Sequence, residues 1–226
     1  MINATKYQHI IWDWNGTLLN DAWLFVDIMN GILKQHNMEM ITIKKYRDIF
    51  GFPIQEYYKK LGFKLGEKSF KKYSTEFISA YEKRRYEAKL YPMVKILLSK
   101  LSSKNIYHSI LSASQQNLLN DLTNYYRVQK YFSYINGVNN FHANGKIDKG
   151  LKFIKKINLH PSEVILIGDT DHDFEVAQAM GIDCLLISHG HYAYSRLIKT
   201  GAFVIKNIEE IFDIFSLKLN CENHTS

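Results

Sequence analysis

Gln8-His9-Ile10-Ile11-Trp12-Asp13-Trp14-Asn15-Gly16-Thr17 opens the chain with a short apolar run that ends on an acid and passes at once into Asn-Gly. A run of this kind followed by a turn dipeptide reads as a buried strand entering a tight loop. The pattern recurs near the other end, where the apolar residues 164–167 precede Gly168-Asp169-Thr170-Asp171-His172-Asp173. Strands are also expected at 107–111, 134–137, 184–187 and 203–205. Helical periodicity predicts helices at 94–104, from Gln115, at 150–157, at 173–180 with Gly181 as the stop, and from Ile208. Short strands alternating with helices of about ten residues specify an α/β fold, a doubly wound, Rossmann-like parallel sheet.

One block breaks the alternation. Residues 22–36 carry Phe25, Ile28, Met29, Ile32 and Leu33 on one helical face, and further helices are expected at 43–50, 53–61 and 67–87. The expected organisation is an α/β core from residues 1–19 and 92–226, with an all-helical insertion at 20–91.

Composition narrows the class. The 226 residues include 46% hydrophobic and 14% aromatic residues, with 29 Lys plus Arg against 22 Asp plus Glu, for a net charge of +7. A chain this long buries roughly 70% of its unfolded surface and needs no metal or disulfide staple. Three Pro and twelve Gly exclude collagen-like and low-complexity chains. Cys184 and Cys221 are too few for a disulfide framework or a metal knuckle and fit a reducing, cytoplasmic compartment. Asp13 and Asn15 interrupt the N-terminal apolar patch, which argues against a secretion signal, and no stretch approaches the roughly 18 apolar residues of a membrane span.

The charge is concentrated. Residues 43–91 hold thirteen Lys or Arg against six Asp or Glu, which accounts for the whole net charge of +7, and seven of the fifteen Tyr. Basic residues among aromatics can bind nucleic acid. With Glu mixed in throughout and no nucleic-acid motif, the reading favours solvated helix faces over nucleic acid, with a basic lid over an anionic substrate as a third reading.

In doubly wound sheets ligands bind beyond the carboxyl ends of the strands. The residues there are Asp13, Asn15, Gly16 and Thr17; then Ser112; then Lys146 and Lys149, placed in a loop before a helix at 150; then Gly168, Asp169, Asp171 and Asp173. Two acidic clusters, a hydroxyl and a lysine on one rim suit phosphoryl transfer, with a carboxylate nucleophile, carboxylates for a divalent cation such as Mg2+, and neutralising groups for phosphate oxygens.

Asp13-Trp-Asn-Gly-Thr17, Ser112, Lys146 and Gly168-Asp169-Thr-Asp-His-Asp173 resemble, in order, the four motifs of the haloacid dehalogenase superfamily, and the helical block at 20–90 resembles the family's type 1 cap. The resemblance implies a Mg2+-dependent hydrolase, with Asp13 attacking phosphorus and forming an aspartyl phosphate. It implies metal ligation by Asp13, the Asn15 backbone carbonyl and Asp169, with Asp173 acting through water or by orienting Lys146. Thr17 would orient the nucleophile loop. Ser112, Lys146 and the Gly16 loop would hold a small phosphorylated substrate. Lys146 lies 22 residues before Gly168 and Lys149 lies 19 before it; the longer spacing is closer to the phosphoglycolate phosphatase-like branch and favours Lys146.

One position departs from the resemblance. Family phosphatases usually carry a second Asp two residues after the nucleophile, which protonates the leaving group and activates water; here it is Asn15, and an amide does neither. This keeps a phosphonatase- or dehalogenase-like hydrolase and a non-catalytic binding protein open beside the phosphatase. Loss of turnover in chelator would exclude the dehalogenase. On this reading aryl phosphates are better substrates than alkyl phosphates, Asn15→Asp raises alkyl turnover, and Asn15-Gly16 is a deamidation-prone pair. His189 and His191 are read as shaping a loop rather than binding metal, His172 as a solvated neighbour of a helix cap, Trp12 and Trp14 as strand packing, and Phe50-Gly51-Phe52-Pro53 as either a helix–helix turn or a substrate-facing loop.

Overall fold

The structure is a computed structural model that describes residues 3–138 and 145–218; Cys221 lies outside the described residues. The chain begins with β1 (His9–Trp12), a two-residue strand β2 (Leu19–Asn20), and four helices, α1 (Ala22–Gln35), α2 (Ile43–Ile49), α3 (Ile54–Lys60) and α4 (Glu67–Arg84). It returns through β3 (Lys89–Leu90) to α5 (Val94–Ser103), β4 (Tyr107–Gln115), α6 (Gln116–Tyr125), β5 (Tyr134–Val138) and α7 (Gly145–Ile154). Then come β6 (Val164–Gly168), α8 (Asp171–Met180), β7 (Asp183–Ile187), α9 (Tyr194–Leu197), β8 (Phe203–Ile205) and α10 (Glu210–Ile214).

Six strands form one sheet in the order β5-β4-β1-β6-β7-β8, and every pairing in it is parallel. This is the doubly wound α/β sheet that the alternation specified. β1 lies at the centre, with Trp12 paired to Ile110 on one side and Ile167 on the other. Both sheet faces are covered: Ile10 and Trp12 point into the larger apolar cluster, while Ile11 joins Leu111, Leu166, Phe153, Val176 and Met180 beneath α7 and α8. Burial on both faces explains why these strands read as continuous apolar runs instead of alternating ones. No described helix is long and apolar enough to cross a membrane.

The expected elements are present, with instructive differences. α7 starts at Gly145, so Lys146 and Lys149 stand within the helix and not in a preceding loop. Gly150 looked like a helix boundary; in fact a Cβ there would fall 2.7 Å from Met180 Sδ, so this glycine permits close packing of α7 against α8. β4 runs on to Gln115 with a register shift between Leu111 and Gln115, which puts Ser112 at an irregularity inside the strand and not after its end. β2 and β3 pair antiparallel, Leu19 with Leu90 and Asn20 with Lys89, and bring the two ends of the helical insertion together. Strands of two residues are too short for any periodicity to reveal.

Two histidines are built into the sheet. His9 Nε2 lies 2.8 Å from Ser109 Oγ, and His108 Nδ1 accepts from Trp12 Nε1 at 3.2 Å. Burial lowers each from an ordinary 6.5 to about 4. The unfolded chain therefore takes up these protons first as pH falls, and the stability that neutral His9 contributes above about 6.5 is lost between there and about 4. We expect wild type to lose about 2 kcal/mol relative to His9→Gln between pH 7 and pH 5, measured by urea denaturation of both proteins. A pH-independent difference would mean that His9 titrates normally in the folded state.

Candidate active site

The parallel register sets the site. Asp13 leaves β1 with its N–H bonded to Ile167 O at 2.9 Å, which holds it level with the end of β6 and beside Asp169. Asp13, Asp169 and Asp173 are all buried and offer oxygens within 4.8 Å of one another. Lys146 reaches them from α7: its Nζ lies 2.6 Å from Asp13 Oδ1 and also donates to Asp173 Oδ1. Thr17 Oγ1 donates to Asp169 Oδ1 at 3.2 Å and stands 3.5 Å from Asp13 Oδ2. Ser112 is buried at the β4 irregularity, its Oγ accepting from Ser114 N at 3.1 Å. The structure thus gathers Asp13, Thr17, Lys146, Asp169 and Asp173 into one contact network.

It also separates the two lysines. Lys149 Nζ donates to Gly137 O, while Lys146 alone meets the carboxylates. Three residues apart on α7, they differ by about 60° in direction and about 4.5 Å along the axis, which is enough to give the two ammonium groups different neighbours. Asp173 is fully engaged, since its second oxygen accepts from Asp169 N, Thr170 N and Thr170 Oγ1.

Charge is unbalanced here. Three buried carboxylates face one ammonium. Burial pushes Asp13 up to about 6 against the pull of Lys146, and pushes Asp169 up to about 8. Burial also opposes charge on Asp173, but Lys146 holds that carboxyl below its ordinary range. Lys146, although buried, is held above its ordinary value by Asp13 and Asp173. Burial disfavours the charged forms of Asp13 and Asp169, and a hard divalent cation would favour them, so the donor set fits one bound by these two carboxylates.

Two glycines let the loops meet. Gly16 has φ +74°, and a Cβ on it would fall 2.2 Å from Asp169 Oδ2; one on Gly190 would fall 2.1 Å from the same atom. His189 and His191 have separate partners. His189 stacks on Tyr91 with centroids 3.6 Å apart, while His191 donates its backbone N–H to Asp169 Oδ2 at 2.6 Å and places Nδ1 2.7 Å from Tyr46 Oη. They brace the loop, as expected.

The inserted helices seal the loop side. Arg47 donates to His189 O and Gly190 O, and Arg196 returns the contact by donating to Arg47 O and Phe50 O. Phe50-Gly51-Phe52-Pro53 is the turn between α2 and α3, with Phe50 against His191 and Phe52 against His172. His172 is therefore buried, contrary to the solvated position expected from its place at a helix start, because the insertion covers it. Trp12 and Trp14 are core, fully buried. Every lysine of residues 43–91 is exposed, while Arg47 of the same segment is half-buried against the His189–Gly190 loop.

With this geometry in hand, similarity becomes informative. Residues 10–187 match the haloacid dehalogenase-like hydrolases. The chain belongs to that family. A haloacid dehalogenase-like hydrolase from Streptococcus pneumoniae superposes with a TM-score of 0.77 at 23% identity, covering 93% of this chain and 99% of that one. Protein tyrosine kinase PtkA of Mycobacterium tuberculosis is 22% identical over 214 residues, 92% of this chain and 71% of its own, and its structure superposes with a TM-score of 0.78. Phosphoglycolate phosphatase of Pseudomonas fluorescens is 25% identical over 138 residues, 60% of this chain and 50% of its own.

For this member of the dehalogenase-like hydrolases, four neighbours of the site escaped the sequence reading: Asp21, Tyr81, Ser114 and Gly190. Asp21 had a signal, an acid just before a helix, but that signal means an N-cap; its side chain makes no cap bond and turns inward instead. The lysine assignment is open to measurement. Lys146→Met strips two buried carboxylates of their partner and should cost about 3–5 kcal/mol in chelator, whereas Lys149→Met loses one backbone contact and should cost about 1 kcal/mol. Equal losses in urea denaturation would remove the distinction.

Proposed function

We propose that the chain is a Mg2+-dependent phosphatase acting on a small phosphate monoester through an aspartyl phosphate at Asp13. The observation that carries this reading is the buried contact of Asp13 with Lys146, set among Asp169, Thr17 and Asp173 at the carboxyl ends of the central strands. Residues 20–91 are read as the cap that closes over it.

Asp13 attacks phosphorus, forming the acyl phosphate bond as the ester P–O bond breaks and the leaving group departs as its alkoxide or phenolate, which takes a proton from solvent. Water then attacks phosphorus, the bond to Asp13 breaks, and inorganic phosphate leaves. Lys146 and Ser112 hold the phosphoryl oxygens as charge develops on them. Asp173, saturated by Thr170 and Lys146, orients the lysine and does not serve as a free ligand. Thr17 spans Asp13 and Asp169 and keeps the nucleophile loop registered on β6. Asp13, Asp169 and the Asn15 carbonyl are the ligands assigned to Mg2+, which when bound would offset the excess carboxylate charge and that of the phosphate.

Asn15 offers no proton, so leaving groups that are already weak bases are favoured.

Turnover should vanish in excess chelator and return with Mg2+. Asp13→Asn should be inactive with an unchanged circular dichroism spectrum, and persistent hydrolysis by that variant would overturn the mechanism. An aryl phosphate should be turned over about 10²-fold or more faster than an alkyl phosphate in parallel assays; equal rates would show that some group does deliver a proton.

A further inference from the structure

Behind the nucleophile loop lies a second buried polar cluster. Asn15 Nδ2 donates to Asp21 Oδ2 at 2.5 Å and to Tyr81 Oη at 3.0 Å, while its Oδ1 accepts from Ser114 Oγ. Tyr81, from α4, donates in turn to Asp21 Oδ2 at 3.0 Å. Asp21 Oδ1 accepts from Gly16 N at 3.0 Å and lies 3.3 Å from His191 Nε2. Asp21 is 0% exposed. Each hydrogen of the Asn15 amide thus has an acceptor, and each oxygen of Asp21 meets donors only. Donor and acceptor chemistry fixes the amide orientation: turned over, its oxygen would face a carboxylate.

We propose that Asp21 is the positioning residue that makes an amide obligatory at position 15, and that the two side chains form an exchangeable carboxylate–amide pair. With the carboxylate at 21, position 15 carries no proton-transfer group; with the pair exchanged, position 15 becomes a working acid and base. The clause about proton transfer rests on the phosphatase reading above, while the pairing itself does not.

The exchange is allowed by the contacts. When Asn15→Asp and Asp21→Asn are combined, Ser114 and Tyr81 donate to the new carboxylate at position 15, and the new amide at position 21 donates to it as well. The carbonyl of that amide still accepts from Gly16 N. Either single change breaks the pattern. Asn15→Asp sets a half-buried carboxylate against the buried one of Asp21 with the single Tyr81 hydroxyl proton between them. Asp21→Asn points an amide N–H2 at Asn15, Gly16 N and His191, or its oxygen at only some of them. The expectation from sequence that Asn15→Asp alone raises alkyl phosphate turnover is thereby revised. Gly16 N is also held by Leu19 O and Asp21, which opposes its attack on the Asn15 carboxamide and so protects the Asn-Gly pair from deamidation.

The test compares wild type, Asn15→Asp, Asp21→Asn and the double exchange, by thermal unfolding in chelator and by turnover of an aryl and an alkyl phosphate in Mg2+. Each single variant should melt about 5 °C or more below wild type and the double within about 2 °C of it, a coupling that independent sites do not show. The ratio of alkyl to aryl turnover, which cancels any difference in folded fraction, should rise about 10²-fold in the double and less than about 3-fold in Asn15→Asp. Additive melting losses overturn the pair. So does an Asn15→Asp variant that is as stable as wild type and reaches the ratio of the double. A closed thermal cycle with an unmoved ratio, in proteins that do hydrolyse the aryl ester, overturns the proton-transfer clause. If none of the four hydrolyses either ester, the phosphatase reading has failed, and the melting data still decide whether Asn15 and Asp21 are paired.

Discussion

Lys146 set between Asp13 and Asp173 is the contact on which the rest of the structure depends. Burying carboxylates at the ends of β1 and β6 is expensive unless positive charge meets them, and one ammonium does not balance three acids. The helix that carries the lysine must come in close, which the missing side chain at Gly150 permits by letting α7 settle on Met180. The residual excess of negative charge is what suits this rim to a divalent cation.

A different constraint joins the inserted helices to the core. Asp21 collects donors from the nucleophile loop, from α4 and from the loop after β7, so the position of the helices and the conformation of the Asn15-Gly16 turn are set by the same buried carboxylate. Around it stand Phe25, Tyr46, Phe50 and His191, with Phe25 and His191 centroids 4.8 Å apart, and this apolar surround keeps water from competing for the polar contacts. The exposed lysines of the insertion play no part in that seal; Arg47 does, by holding the carbonyls of His189 and Gly190.

Fold class, strand order of the motifs and the residues on the rim were legible in the chain because they depend on local features: short apolar runs, turn dipeptides and the rule that sites form beyond strand ends. Asp13, Thr17, Ser112, Asp169 and Asp173 each follow or interrupt a strand of the central sheet, and pairing in parallel register is enough to bring them to one edge. What failed was local too. Gly150 reads as a helix start when its use is in packing, and Asp21, one residue before a helix, carries no local mark of the buried cluster it enters.

The sequence by itself therefore determined the doubly wound sheet and the acids that meet at its edge, since periodicity and strand ends are properties of neighbouring residues. Tertiary structure alone decided which lysine faces Asp13, that His172 lies under Phe52, and that Asn15 answers to Asp21, Tyr81 and Ser114. These choices turn on contacts between residues far apart in the chain, such as Lys146 with Asp13 or Ser114 with Asn15, and the donor and acceptor geometry that selects them exists only once the sheet has brought the loops together.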